Sequence, residues 1–160
     1  IDGFNLFKER TQSDFKLVLA GSLLWQKTDI EDSYTNSQYK DDIIFTGRLS
    51  DDDLQKVLGA AYALSFVPIF EGFGLPIVEA FQSGVPVICS NVTSMPEVAG
   101  DAALMVDPFN IDSIANGMNK LADNNDLRNE LIDKGHQQKK LFSWSRTAEL
   151  LWDCIQKAVK

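Results

Sequence analysis

The amino-acid sequence predicts an α/β fold in which helices cover both faces of a parallel β-sheet. Five short apolar runs, rich in Val, Ile, Leu and Phe and without strict polar alternation, have the composition of strands buried on both faces. Amphipathic segments with helical periodicity lie between these runs. Because strands alternate with helices, right-handed crossovers and parallel pairing are expected. A length of 160 residues suits one domain with its own core.

The five predicted strands can each be placed on the sequence. Their ranges are 15–22, 42–49, 63–70, 85–91 and 103–108. Cys89 lies inside the fourth strand and is expected in the core. Two cysteines are too few for a disulfide framework, and they fit a reducing compartment.

Helical segments with recognisable ends separate and follow the strands. Ser50 is expected to cap the first of them, and the three aspartates after it favour the positive end of the helix dipole. Later helices are expected at 110–124, 127–142 and 143–160. Phe142 and Trp144 are expected to be packing anchors beside the last helix.

Composition and charge exclude several classes of function. The net charge of −8 disfavours a nucleic-acid partner, because phosphate neutralisation needs a basic face. The apolar runs are shorter than the ~18 residues of a membrane-spanning helix, and no signal-peptide pattern is present. His, Cys and Asp residues are not clustered at metal-ligand spacing, so no metal site is expected.

The segment EGFGLPIVEA, residues 71–80, has the pattern of an anion-binding loop and helix start. It follows the third predicted strand, and parallel sheets bind ligands at the carboxyl ends of their strands. Gly72 and Gly74 allow a tight turn and close approach of bare backbone to a ligand. Pro76 suits the first turn of a helix, predicted from Leu75 to about residue 83. Backbone N–H groups at the helix start, with the helix dipole, favour a phosphate.

Glu71 and Glu79 therefore flank a predicted phosphate position. As a glycoside-hydrolase pair they would need ~5 Å between carboxyl groups for retention or ~6.5–9.5 Å for inversion. Four helical residues already span ~6 Å, so a retaining pair is disfavoured. An inverting pair is allowed by distance, but such a hydrolase would not need a phosphate-binding loop between its two acids. A nucleotide sugar, with ribose, diphosphate and hexose in line, matches both acids and the loop.

These residues resemble a known family. EGFGLPIVEA is similar to the E-x7-E signature of retaining glycosyltransferases of family 4, which have the two-domain GT-B fold. The resemblance continues through GVPVICSN, MPEVAGDAALMVDP and FSWSRTAE, and upstream through FKLVLAGS and DIIFTGRLSDDDL. It covers nearly the whole chain. It implies that residues 1–160 are a single domain, the Rossmann-like, donor-nucleotide-binding C-terminal half of such an enzyme.

The resemblance also implies a role for eight positions. In the family, the first acid lies against the donor sugar and favours developing positive charge, while the second binds the ribose hydroxyls. The loop backbone meets sugar hydroxyls and phosphate, and residues after the family's third strand pack near the base. Carried over, these roles fall on Glu71 (donor sugar, catalytic), Gly72, Phe73, Gly74 and Leu75 (donor sugar and phosphate), Glu79 (ribose), and Arg48 and Leu49 (base).

The implied reaction is transfer of a hexose, with mannose among the candidates, from a nucleoside-diphosphate sugar to an acceptor hydroxyl with retained configuration. No cofactor and no tightly bound metal are implied, because basic groups and the helix end neutralise the departing diphosphate. The acceptor would be a glycan or a lipid-linked glycan. The location would be cytoplasmic, with attachment to the membrane through another domain as an option. A GT-B epimerase or phosphorylase and a noncatalytic sugar-nucleotide-binding module are the alternatives.

Two departures from the family pattern lead to further expectations. The chain starts after the position of the family's first strand and of the Arg and Lys that hold the diphosphate, and the acceptor domain is not part of it. Pro68 stands where family members often have Ser. The chain is therefore expected to bind nucleotide sugars weakly and to transfer nothing. The strands beside the absent one are expected either to close together or to pair with another chain, for example in a dimer.

Overall fold

The computed structural model describes residues 1–22 and 27–159, with the backbone alone for residues 27 and 28. In this part of the chain the strands are β1 (Leu17–Ala20), β2 (Ile43–Gly47), β3 (Leu64–Phe66), β4 (Val87–Ser90) and β5 (Ala103–Val106). The α-helices are α1 (Asp2–Thr11), α2 (Lys27–Thr35), α3 (Asp51–Ala60), α4 (Leu75–Gln82), α5 (Met95–Ala99), α6 (Ile111–Ala122), α7 (Asn125–Gln138) and α8 (Trp144–Ala158). Each predicted strand is present, shorter than its apolar run.

All strand pairs are parallel, as predicted, but they form two sheets rather than one. β1 pairs with β2, and β4 lies between β3 and β5. Within the described residues, no ladder joins β1 to β3. An apolar groove of about 590 Å³ lies between these two strands, lined by them and by residues of α1, α3 and α6; it is called the central groove below.

The expectation that the flanking strands close together is wrong. Large side chains of α1 and α6, among them Phe4, Phe7 and Met118, line the central groove, and these two helices pack closely on each other. Closing the groove would therefore require repacking a core cluster that is already formed around Phe4 and Phe7. Pairing of the groove edges with another chain stays a prediction.

Burial on both faces, predicted for all five strands, is found only in β4. All four of its residues are buried, whereas β1 alternates between half-buried and exposed residues. Leu17 and Leu19 of β1 pack against the α1 core cluster, while Val18 and Ala20 are exposed. The reason is tertiary: β4 has strands on both edges, contacts α4 and α5, and packs through Ile88 on α6. Within the described residues, β1 pairs with a strand on one edge only.

The predicted Ser50 cap is present, but the last helix does not pack as predicted. The Ser50 hydroxyl accepts a hydrogen bond from the Asp53 N–H at 3.2 Å, which confirms that cap. Trp144 is 83% exposed and α8 has no buried residue, so Trp144 is not a packing anchor. Phe142 is one, since it packs on the α4 core cluster. No helix in the described ranges is both long and apolar enough to cross a bilayer.

Candidate functional site

The loop between β3 and α4 has a conformation that only glycine fits well. Gly74 caps α4 with a φ of 105°, a value that L side chains rarely adopt. A Cβ atom at Gly74 would also lie 2.7 Å from the methyl carbon of Met95. Helix α4 begins at Leu75, and Pro76 is in its first turn. The predicted start of this helix and the roles of its glycine and proline in the fold are confirmed.

Helix α4 holds this loop on a rigid base. Its buried residues, Ile77, Val78, Ala80 and Phe81, belong to one core cluster with β4 and α5. The remaining face carries Glu79, which is exposed in the second turn of the helix. The start of α4 is therefore fixed by packing while Glu79 stays accessible.

The N-terminus of α4 is suited to an anion. No side chain caps it, and Pro76 has no N–H to donate. The Ile77 N–H donates to the Gly74 carbonyl oxygen at 3.0 Å, so an anion at this helix start would use the N–H groups of Gly74 and Leu75. The helix dipole adds a partial positive charge at this end. The phosphate position at this helix start stays a prediction.

Glu71 precedes this helix start in the chain. It is half-buried, and its carboxylate accepts a hydrogen bond from the Gly72 N–H at 3.1 Å. Its backbone carbonyl accepts a hydrogen bond from the Ser94 hydroxyl at 2.9 Å. The two glutamates thus belong to one continuous loop–helix unit, with the helix N-terminus between them in the chain.

An exposed apolar surface accompanies the loop. Phe73 is 44% exposed and contacts Phe142 edge to face, with ring centroids 5.8 Å apart. Just before the loop, Ile69 and Phe70 are 60% and 81% exposed. Apolar side chains presented at the carboxyl end of β3 are available for a ligand or a partner.

Arg48 and Leu49 lie at the end of the other sheet. They follow β2 directly, Arg48 exposed and Leu49 half-buried. Like the Glu71 loop, they are at the carboxyl end of a parallel strand, but the central groove separates the two sheets. A small cavity of about 150 Å³ lies at the carboxyl ends of β1 and β2, and neither residue lines it. Arg48 and Leu49, predicted to lie near the nucleotide base, are therefore at the carboxyl end of a parallel strand, as expected. Among the residues that the structure describes, no hydrogen bond or ion pair joins them to the Glu71 loop.

Two other candidate chemistries have no support at this site. Cys89 is completely buried in β4, and burial raises the pKa of its thiol to about 12, so it is not a nucleophile. Among residues 1–22 and 27–159, no three His, Cys, Asp or Glu side chains are grouped as metal ligands.

Sequence reasoning missed Ser94. Ser94 and Glu97 have the S-x-x-E spacing of a capping box, which predicts a purely local helix cap. In the structure Ser94 is the N-cap residue of α5 but its side chain makes no cap hydrogen bond. Its contact with Glu71 lies 23 residues away in sequence, and no local pattern signals it.

Known proteins share this fold. Sucrose-phosphate synthase from Thermosynechococcus elongatus superposes with a TM-score of 0.82 at 21% identity, covering 99% of this chain and 42% of that one. Anabaena HepE, solved in complex with UDP, gives a TM-score of 0.81 at 16% identity over 96% of this chain and 44% of that one. The fold is the α/β arrangement of GT-B glycosyltransferases, as predicted.

Sequence comparison identifies relatives at higher identity. O-antigen chain mannosyltransferase B from Escherichia coli is 35% identical over 144 residues, which are 90% of this chain and 38% of that protein. The chain thus spans about two fifths of the length of this relative. The family model described as "Glycosyl transferases group 1" matches residues 1–138. Because that match extends from the first residue to the end of α7, the chain belongs to the group 1 glycosyl transferases.

Proposed function

We propose that this chain is the donor-binding part of a retaining glycosyltransferase that transfers a hexose, with mannose as the favoured sugar, from a nucleoside diphosphate to an acceptor hydroxyl. One observation carries the proposal: the uncapped N-terminus of α4 begins at Gly74, in a positive-φ conformation, and lies between Glu71 and Glu79 in the chain. Family membership supports glycosyl transfer, and a mannosyltransferase from E. coli at 35% identity supports mannose.

The proposal assigns each part of the donor to a part of this site. The first-turn backbone of α4 and the helix dipole stabilise the diphosphate, including the charge that develops on it as it departs. Glu79 accepts hydrogen bonds from the ribose hydroxyls one turn further along the helix. Glu71 holds the sugar and favours positive charge at the anomeric carbon. Arg48 and Leu49 contact the base at the end of β2. No metal is required, since the helix end supplies the electrostatic stabilisation.

The remaining parts of the enzyme would lie outside this chain. The acceptor, a glycan or a lipid-linked glycan, would bind a second domain, and that domain would set any attachment to the cytoplasmic face of a membrane. Since two basic diphosphate partners are expected from the rest of the enzyme, the 160-residue chain alone should bind donors with a dissociation constant near ~1 mM. The unpaired edges of the central groove would favour strand pairing in trans, for example in a dimer.

The proposal is tested by NMR titration of the chain with GDP-mannose, UDP-glucose, GDP and UDP at up to about 10 mM. We expect one nucleotide pair to shift the amide signals of Gly74 and Leu75. Glu79→Ala should weaken binding of both members of that pair by about tenfold or more, since a hydrogen bond to a charged group contributes ~1.5–3 kcal/mol. Glu71→Ala should remove only the advantage of the nucleotide sugar over the free nucleotide.

Glu149→Ala, a change of an exposed glutamate on α8, serves as the matched control and should bind like the wild type. Absence of amide shifts at Gly74 and Leu75 with every nucleotide would overturn the proposal. Equal binding of nucleotide and nucleotide sugar by the wild type, with a response to Glu79→Ala, would support the nucleotide site and refute the contact between Glu71 and the sugar.

A further inference from the structure

Residues 93–95, the turn before α5 and the first residue of that helix, contact the Glu71 loop from the end of a different strand. They follow β4, whereas the loop follows β3, and both strands are parallel neighbours. The Ser94 hydroxyl donates to the Glu71 carbonyl oxygen at 2.9 Å in a partly buried position. Met95, fully buried, fills the space beside Gly74 with its methyl group. One hydrogen bond and one packing contact thus hold the two ends of the loop.

The hydroxyl of Ser94 is diverted from the role that its position predicts. At the other serine caps, Ser50 and Ser143, the backbone is extended and the hydroxyl accepts the N–H of the third following residue. Ser94 instead has helical backbone angles, with φ of −81° and ψ of −11°, and makes no such bond. Its hydroxyl is directed to the Glu71 loop.

The residue before Ser94 has an unfavourable backbone conformation. Thr93 has a φ of 56°, which is rare for a β-branched side chain. Outside glycine, the described residues show positive φ at one other position, Gln12, which closes a helix. Thr93 lies between β4 and Ser94, whose hydroxyl contacts the loop after β3. Strain of this kind persists where the surrounding structure requires the conformation.

A single peptide group connects Ser94 to the Glu71 carboxylate. The carbonyl of the 71–72 peptide accepts from Ser94, and the N–H of the same peptide donates to the carboxylate of Glu71. The plane of this peptide is therefore held on one side by Ser94, and on its other side it holds the carboxylate. A hydrogen bond to the carbonyl also polarises the peptide and strengthens the bond made by its N–H.

We propose that Ser94 is a positioning residue: through the 71–72 peptide it orients the Glu71 carboxylate toward the sugar of the bound donor. The inference rests on the proposed function. It adds a residue that affects binding of the donor sugar and not binding of the nucleotide. Without the Ser94 hydroxyl, the peptide is free to rotate, and the carboxylate loses its N–H partner in part of the molecules.

The test compares Ser94→Val with Ser94→Thr, which have the same shape and differ in the hydroxyl. The first readout needs no ligand: the exchange rate of the Gly72 amide proton with water, measured by NMR. We expect about tenfold faster exchange in Ser94→Val, and a rate near the wild type in Ser94→Thr and in Ser143→Ala, which removes a serine cap elsewhere. Unchanged Gly72 exchange in Ser94→Val would overturn the positioning role.

The second readout is the ratio of the dissociation constants for GDP and GDP-mannose. Ser94→Val should lower the preference for GDP-mannose about threefold to tenfold and leave the GDP constant unchanged. Loss of affinity for both ligands alike would overturn the assignment to the sugar, because a merely structural defect acts on both. A wild-type chain that does not prefer GDP-mannose would refute the proposed function for that donor, and the Gly72 exchange rate would still decide whether Ser94 holds the peptide.

Discussion

The two sheets of this chain contain similar apolar strands, yet they are packed to different degrees. β4 of the three-stranded sheet is buried at every residue, and it lies in a core cluster with α4 and α5. β1 of the two-stranded sheet has Val18 43% exposed, and α3, which borders the central groove with Leu54 and Leu58, has no buried residue. The difference shows that an apolar run becomes a fully buried parallel strand only where its neighbours cover it.

This difference divides the candidate site. The Glu71 loop and α4 are anchored in the well-packed three-stranded sheet, whereas Arg48 and Leu49 follow β2 in the more exposed sheet. The part of the site that would hold phosphate and sugar is therefore preorganised, and the part that would hold the base is less so. Preorganised groups contribute more to binding and catalysis, because they need no ordering at the moment of reaction.

The largest expected effect comes from comparing an isoleucine of α4, packed on the three-stranded sheet, with an isoleucine of the two-stranded sheet. Ile77→Ala, at a fully buried position of α4, should lower the free energy of unfolding by about 2–5 kcal/mol. Ile44→Ala, at a position of β2 that is 42% exposed, should cost less than about 1 kcal/mol. Urea denaturation followed by circular dichroism measures both. Similar losses for the two variants would show that the two sheets are equally well packed.

The sequence predicts the elements better than it predicts their burial. Apolar runs such as 85–91 locate every strand, and Gly74 and Pro76 locate the start of α4, because these signals are local. Exposure of Val18 and Trp144 depends on which elements cover them, and no local pattern contains that information.

The candidate site shows the same limit. Gly74 and Pro76 signal the turn before α4 and the start of this helix, because a tight turn and a helix start need those residue types. The roles of Glu71 and Glu79 come from a family resemblance and stay predictions. Ser94 could not be predicted, because the S-x-x-E spacing has a complete local explanation that the structure does not follow.

A second, smaller loss of stability is expected when glycines with positive φ are replaced by alanine next to each of the two sheets. Gly74→Ala should destabilise the chain by about 2–3 kcal/mol, since it combines an unfavourable φ of 105° with a Cβ position 2.7 Å from Met95. Gly47→Ala, at the end of β2, has a φ of 68° and no atom within 4 Å of the new Cβ, so about 1 kcal/mol is expected. The same denaturation experiment gives both values. Equal losses would mean that the loop before α4 has room to relax.

The smallest expected effect concerns acid stability in the two-stranded sheet. Lys8 of α1 is buried, and its Nζ lies 2.7 Å from a carboxylate oxygen of Asp42, which directly precedes β2. It also donates to the carbonyl oxygen of Phe15 at 3.2 Å, just before β1. The hydrogen bond from Lys8 is the main cause that lowers the pKa of Asp42 below its ordinary value of 3.8; burial opposes it, and the charges of Lys8 and Lys16 support it.

The sign of the pH effect follows from that lowered pKa. The folded state binds a proton at Asp42 less readily than the unfolded state, so the pair stabilises the fold above about pH 3.8 and ceases to do so as the pH falls through the lower, folded-state pKa. Asp42→Asn should therefore be less stable than the wild type at pH 6, and the difference should shrink below pH 3.8. Amide exchange should show the loss in β1 and β2 and leave β4 unchanged, because β4 belongs to a different core cluster. If the stability difference between Asp42→Asn and the wild type stays constant down to pH 2.5, protonation of Asp42 does not contribute to acid destabilisation. If amide protection falls equally in β4, the two sheets unfold as one unit.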